Sequence, residues 1–292
     1  MSIVCATHLS ASSAAAVTVA AHLAQRTHER LILATVLTGH GLDAVALADG
    51  LDQERARLSA LGLEVELALL HGKFERAIER RCRDAGARLL VVGDRSSAPL
   101  RATPAERLAW SSSVPLLVVR GDEPLRSWTR GERALRVLLG SGAPGLAPAV
   151  LGWLTWLASA GPLEVLATRV LEPAADHEAG DERELQRLRA ALLAMPLQVG
   201  TRAHVEVTPG GLGEVLSGLA AREPTDLLLV GTQPATGLFS RRASLAHELL
   251  RHASTSVALV PLLEARSVEA LPRTSPTSPR FMRQLSRHGP EH

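Results

Sequence analysis

The chain is written twice, and this constrains its architecture more than any other feature. The segment "IVCATHLSASSAAAVTVAAHLA" (Ile3 to Ala24) lies without a gap on "VLLGSGAPGLAPAVLGWLTWLA" (Val137 to Ala158). Each reads as a short apolar strand, a small-residue turn and a helix rich in Ala and Leu. Further on, "LLVVG" ending at Gly93 matches "LLLVG" ending at Gly231, and "TPAERLAW" from Thr103 matches "SLAHELLR" from Ser244. The offset grows from 134 (Ile3 to Val137) through 138 (Gly93 to Gly231) to 141 (Thr103 to Ser244), as small loop insertions in a duplicated domain produce.

Within each copy, apolar runs alternate with helical patterns. Strands are expected near Ser2–Ala6, Leu31–Leu37, Val65–Leu70, Leu89–Val92 and Leu116–Val119. In the second copy they fall near Arg136–Leu139, Leu163–Thr168, Ala203–Val207, Leu227–Val230 and Val257–Val260. Runs that are apolar throughout indicate parallel strands buried on both faces, and right-handed crossovers then wind helices over both sides. The fold expected is α/β, with two tandem flavodoxin-like domains, each a doubly wound, five-stranded parallel sheet, over residues 1–121 and 134–263. The stretch between them, with Gly121, Pro124 and Gly131, reads as a linker over residues 122–133. Residues 264–292, rich in Pro, Ser and Arg, read as a disordered tail.

Composition excludes several function classes. Aromatic residues total 2%, so the cores must be aliphatic, and few rings are available to stack nucleic-acid bases. The net charge of +2 and the scatter of arginines among acids give no basic stripe, so no nucleic-acid partner is expected. No apolar run approaches the ~20 residues of a membrane span, and the N-terminus lacks the pattern of a signal peptide. Cys5 and Cys82 are far apart and show no metal-ligand or redox spacing, which points to a reduced, cytoplasmic compartment. Phosphate-loop, zinc-protease and nucleophile-elbow motifs are all missing, so neither a catalytic residue nor a metal site is expected.

In open α/β sheets ligands sit at the carboxyl ends of strands, near the switch in strand order. In the second copy an apolar strand ends at Gly231, a loop with Gly237, Arg241 and Arg242 follows, and "SLAHELLRHA" then leads to a last strand. In the first, "VVGDRSS" and "TPAERLAWSSSVPLLVV" repeat that layout. These segments, with the repeat, resemble the universal stress protein family over nearly all of residues 1–263. The resemblance implies an internal pseudo-dimer in which "LLVVR" and "ALVPL" pair as last strands, and a role in stress adaptation through a protein partner and a ligand.

Nucleotide-binding members carry Gly-x2-Gly-x9-Gly-Ser/Thr after the fourth strand and an Asp after the first. Glycines let the backbone approach the phosphates, and exposed amides with a helix N-terminus attract them. Matched residue by residue, the pattern is damaged here. In the second copy Gly231 is kept and Pro234, which has no N–H, takes the second glycine position. Ala243 takes the third, Ser244 remains, and the loop is one residue short. In the first copy Gly93 is kept, Ser96 takes the second position, Ala102 precedes Thr103, and the loop is four residues short. The Asp is replaced by His8 and by Gly142.

Two readings follow. One is a non-catalytic regulatory protein whose nucleotide binding is weak or lost. The other is an ATP-binding, slowly hydrolysing protein that uses Gly231, Thr232, Gly237, Ser240, Arg241 and Ser244. The first-copy set of His8, Gly93, Asp94, Ser96 and Thr103 then marks a degenerate site, or a scaffold that supports the second copy. ATP is the one cofactor candidate. Most of these residues also have structural explanations. Thr103, Pro104 and Glu106 form a capping box, and Ser244 is expected as a helix cap. His8 and Asp94 follow neighbouring strands and are expected as a polar pair. Lys73 reads as a solvated first-turn residue beside a tight turn at Gly72. Trp153 and Trp156, three apart on a helix, are expected in a core or at the domain interface, and Cys5 as a small buried apolar residue.

Overall fold

The computed structural model describes residues 1–37, 42–94, 102–121, 123–141, 147–171, 186–187, 189–190, 192–194, 203–209, 211–232 and 241–262. The expected tail lies outside this set. The first copy runs β1 (Ser2–Ala6), α1 (Ala11–Thr27), β2 (Arg30–Leu37), α2 (Leu42–Ser59), β3 (Val65–His71), α3 (Phe74–Asp84), β4 (Ala87–Gly93), α4 (Pro104–Ser111) and β5 (Leu116–Val119). After α5 (Glu123–Thr129), the second copy runs β6 (Leu135–Ser141), α6 (Pro148–Ala160), β7 (Leu163–Leu171), β8 (Ala203–Pro209), α7 (Leu212–Arg222), β9 (Leu227–Thr232), α8 (Arg241–His252) and β10 (Ser256–Pro261).

All ten strands form one sheet, in the order β3-β2-β1-β4-β5-β10-β9-β6-β7-β8. Every pairing is parallel except that of β5 with β10, where the copies meet edge to edge. Each last strand thereby covers the other's open edge, as expected from "LLVVR" and "ALVPL". Leu117 stands opposite Ala258, its own counterpart at an offset of 141, so a local two-fold axis passes through this pair.

The sheet lies between two helical layers. Alternate residues of β1 show the division: Ile3 and Cys5 join a core with α1, α2, α5 and α6, while Val4 and Ala6 join one with α3, α4, α7 and α8. Both cores run across the two copies. Trp153 and Trp156 are buried with ring centroids 5.9 Å apart, and Trp156 donates its indole N–H to Glu29 of the first copy at 3.2 Å. Both cysteines are buried thiols.

The expected linker is more than a connection. Gly121 and Gly131 take the left-handed conformation, φ +66° and +79°, as the chain turns in and out. Between them α5 buries Leu125 and fully buries Trp128, three residues apart on one face. The glycines were correct signs of turns, but Pro124 lies in the first turn of α5, and the Leu-x2-Trp spacing made the segment a core helix.

Candidate functional site

A cleft of about 390 Å³ opens at the carboxyl ends of β1, β2 and β4 in the first copy. Its walls include Thr7 and His8 after β1, Thr35 on β2, Gly93 at the end of β4, Phe74 at the start of α3 and Arg107 on α4. Thr7 is buried and fixes the turn: its amide donates to the Ala34 carbonyl at 2.9 Å, and its Oγ1 accepts from the Leu9 amide at 3.1 Å. That second bond accompanies a left-handed Leu9 at φ +59°. His8, next to it, is exposed. The size suits a small ligand, and Phe74 gives one apolar wall.

The N-terminus of α4 reaches this cleft already satisfied. The Oγ1 of Thr103 accepts the Glu106 amide at 3.0 Å, and Oε2 of Glu106 accepts the Thr103 amide at 2.6 Å, which completes the expected capping box. Pro104 has no N–H to give. Ala105 alone keeps an uncommitted donor among the amides at Thr103, Pro104, Ala105 and Glu106. Glu106 is itself fully buried, so a carboxylate sits where a phosphate would be drawn by the helix dipole. Arg107, the cation of the cleft, is ion-paired with Glu75 and donates to the Ala102 carbonyl at 2.9 Å. Burial alone would raise the Glu75 pKa, but a bond from its own amide and the Arg107 guanidinium together hold it below the ordinary carboxylate range.

Glu106 also ties the two copies together. Its Oε1 accepts from Arg251 Nε at 3.0 Å and lies 3.2 Å from His247 Nδ1, both on α8. His247 is the repeat counterpart of Glu106 at the same offset of 141. Residues that would meet as a like pair across a true two-fold axis have diverged here into an acid and a base.

Asp94 takes a different partner from the one expected: Arg120 of the same copy, at 2.8 Å, and not His8. The Arg120 guanidinium also donates to the Leu250 and Ala253 carbonyls at the end of α8, and its amide donates to Ser256 Oγ at 3.0 Å. A cation at a helix C-terminus is favourable, and Asp94 fixes it there.

In the second copy Gly231 and Thr232 close β9. A Cβ added at Gly231 would lie 3.0 Å from Leu262 and 3.1 Å from Val150, so a side chain there would press on both. Thr232 is buried, and its carbonyl accepts the Leu262 amide at 2.7 Å. Helix α8 begins at Arg241, so Ser244 is its fourth residue and not its cap. The run Arg-Arg-Ala favours the helix and extends it by most of a turn. Ser96, Gly142, Pro234, Gly237 and Ser240 lie outside the described residues. Lys73, exposed at the start of α3, follows Gly72 at φ +105°, as the tight turn requires.

Two doubly wound α/β repeats, sharing one sheet and each placing strand ends and a helix start at a switch point, define a tandem flavodoxin-like class of protein. The model of the universal stress protein family matches residues 1–120 and 134–261, and the chain belongs to that family. Among solved structures it resembles a universal stress protein from Archaeoglobus fulgidus (14% identity, TM-score 0.63, covering 89% of this chain and 98% of that one). It also resembles a candidate universal stress protein from Pseudomonas aeruginosa (14% identity, TM-score 0.65, covering 89% and 92%). At such identity the likeness is one of fold. No curated protein matches the sequence. No helix among the described residues is long and apolar enough to cross a membrane.

Proposed function

We propose that this chain is a non-catalytic regulatory protein of the stress-response type, cytoplasmic, which takes a small uncharged ligand in its first-copy cleft and binds nucleoside triphosphates there weakly or not at all. The observation that carries this reading is the self-satisfied start of α4. The amides of Thr103 and Glu106 are spent on each other's side chains, Pro104 has none, the helix dipole faces a buried carboxylate, and the adjacent Arg107 is already paired. A triphosphate would have to displace these bonds, whereas a nucleoside-sized neutral molecule could use Thr7, Thr35 and Phe74 without disturbing them.

Regulation follows from the same helix. Ala105 and Arg107 of α4 line the cleft, while Glu106 reaches α8 of the other copy. A ligand seated against α4 therefore bears on the junction of the copies and on any surface a protein partner reads there. Such a ligand acts through its different affinity for two arrangements of that junction.

The test is calorimetric titration of adenosine into the full chain, paired with assay of phosphate release from Mg-ATP. Adenosine is expected to give a saturable heat that Phe74→Ala weakens, and phosphate release should stay at the buffer rate. Adenosine heat indifferent to Phe74, or steady phosphate release, would instead favour the ATP-hydrolysing reading built on residues 231–244.

A further inference from the structure

Among the described residues, buried charges come with partners, with one exception. Glu106 has Arg251, and Asp226 has both Arg133 and Arg136. Arg169, near the end of β7, is 9% exposed, and its Nε and Nη1 are buried without a hydrogen-bond partner. A guanidinium cannot shed its proton to escape this, as a buried lysine can. An unpaired buried charge is among the most costly groups a fold can hold, and an anion is what relieves it.

The repeat shows where Arg169 stands. Val165 pairs with Val137 as Leu31 pairs with Ile3, and both matches keep the offset of 134. Arg169 therefore occupies the position of Thr35, which lines the first-copy cleft. Strand alternation puts it on the face of Val165 and Ala167, in the layer that contains α6, with Ser141 as its register partner on β6. The two copies thus differ at this position, with a threonine at the rim of one cleft and an unpaired, buried guanidinium in the other.

We propose that the second copy binds an oxyanion, the phosphate or carboxylate group of a small metabolite, at the carboxyl ends of β6 and β7, with Arg169 as its anchor. The planar fork of arginine matches either group through two parallel bonds. The pairing of a neutral-ligand cleft with an anion site gives one chain two different inputs. The inference is independent of the first-copy reading, which rests on α4 and Phe74.

The experiment is thermal melting of the full chain in sodium phosphate and in sodium acetate, against sodium chloride at equal ionic strength, for wild type, Arg169→Met and Arg169→Lys. Phosphate or acetate should raise the wild-type melting temperature saturably, and the stronger of the two identifies the group preferred. Without added anion, Arg169→Met should melt no lower than wild type, because it removes an unpaired charge and keeps the bulk, and the anion should no longer shift it. Arg169→Lys should keep a response weakened at least about tenfold in affinity, since the charge stays and the fork is lost. An unshifted wild type, or an Arg169→Met protein that melts lower yet still responds, overturns the proposal by showing that the guanidinium is satisfied within the chain.

Discussion

Glu106→Gln should loosen the junction of the two copies while leaving α4 in place. Glutamine keeps the length of the side chain and a carbonyl that can still accept the Thr103 amide, so the cap geometry survives. What is lost is the charge that Arg251 and His247 approach at 3.0 and 3.2 Å. Charge-assisted hydrogen bonds contribute about 1.5–3 kcal/mol each, and breaking a fully buried ion pair costs about 3–5 kcal/mol. Arg251 is 32% exposed, however, and can return to water, which pulls the cost down. The expected loss is about 2–3 kcal/mol, seen as a fall of about 4–10 °C in the melting temperature for a folded unit of this size. Calorimetric melts of Glu106→Gln, Arg251→Met and the double variant separate the pair from its surroundings, and a coupling of about 1–2 kcal/mol is expected. A shift under about 1 °C with no coupling would show that the acid contributes only as a local helix cap.

Other outcomes follow from the burial pattern. Trp128→Ala, which empties the site of the most voluminous fully buried side chain, should cost about 3–5 kcal/mol by chemical denaturation; a loss typical of a surface position would mean that α5 is only a tether. The thiol of Cys82 is pushed up to about 12, chiefly by burial, and that of Cys5 higher still. Neither should react with a maleimide at about pH 8 until the chain unfolds, and prompt labelling of the native protein would refute their placement. Glu75 has a folded-state pKa below its unfolded value, so its contribution is complete above the ordinary carboxylate range and is lost as pH falls from that range through the lower folded value. Glu75→Gln should therefore narrow the stability gap between neutral and acid pH, and an unchanged pH profile would contradict the Arg107 pairing.

The strands were legible because a parallel strand covered on both faces must be apolar at every position, and the duplication supplied each signal twice. The β5–β10 pairing was legible only through the family resemblance, which implied that the last strands pair and cover each other's edges. The contacts that join the copies were not. Glu106 was fully accounted for by a local capping box, so nothing in its own neighbourhood called for a second role. Only the repeat alignment, which sets it on His247, hinted that the two would meet near the axis. Asp94 was misassigned for the same reason, since its partner Arg120 follows the next strand and faces the other copy. Trp128 was hidden by the glycines on either side of it. Arg169 had a visible signal that went unused: the position of Thr35 at the rim of one site is filled by a cation in the other. Ser244 shows the limit of motif matching, because a serine in the family position does not cap a helix that has already begun.

The central claim is that the capped start of α4 rejects phosphate, so that the first-copy cleft prefers an uncharged ligand. Its most direct test compares adenosine with ATP by calorimetric titration of the Arg169→Met protein, where the anion site of the second copy is disabled. The account predicts that ATP binds no more tightly than adenosine. ATP binding tenfold or more tighter, about 1.4 kcal/mol, would contradict it and show that the first copy still holds phosphate.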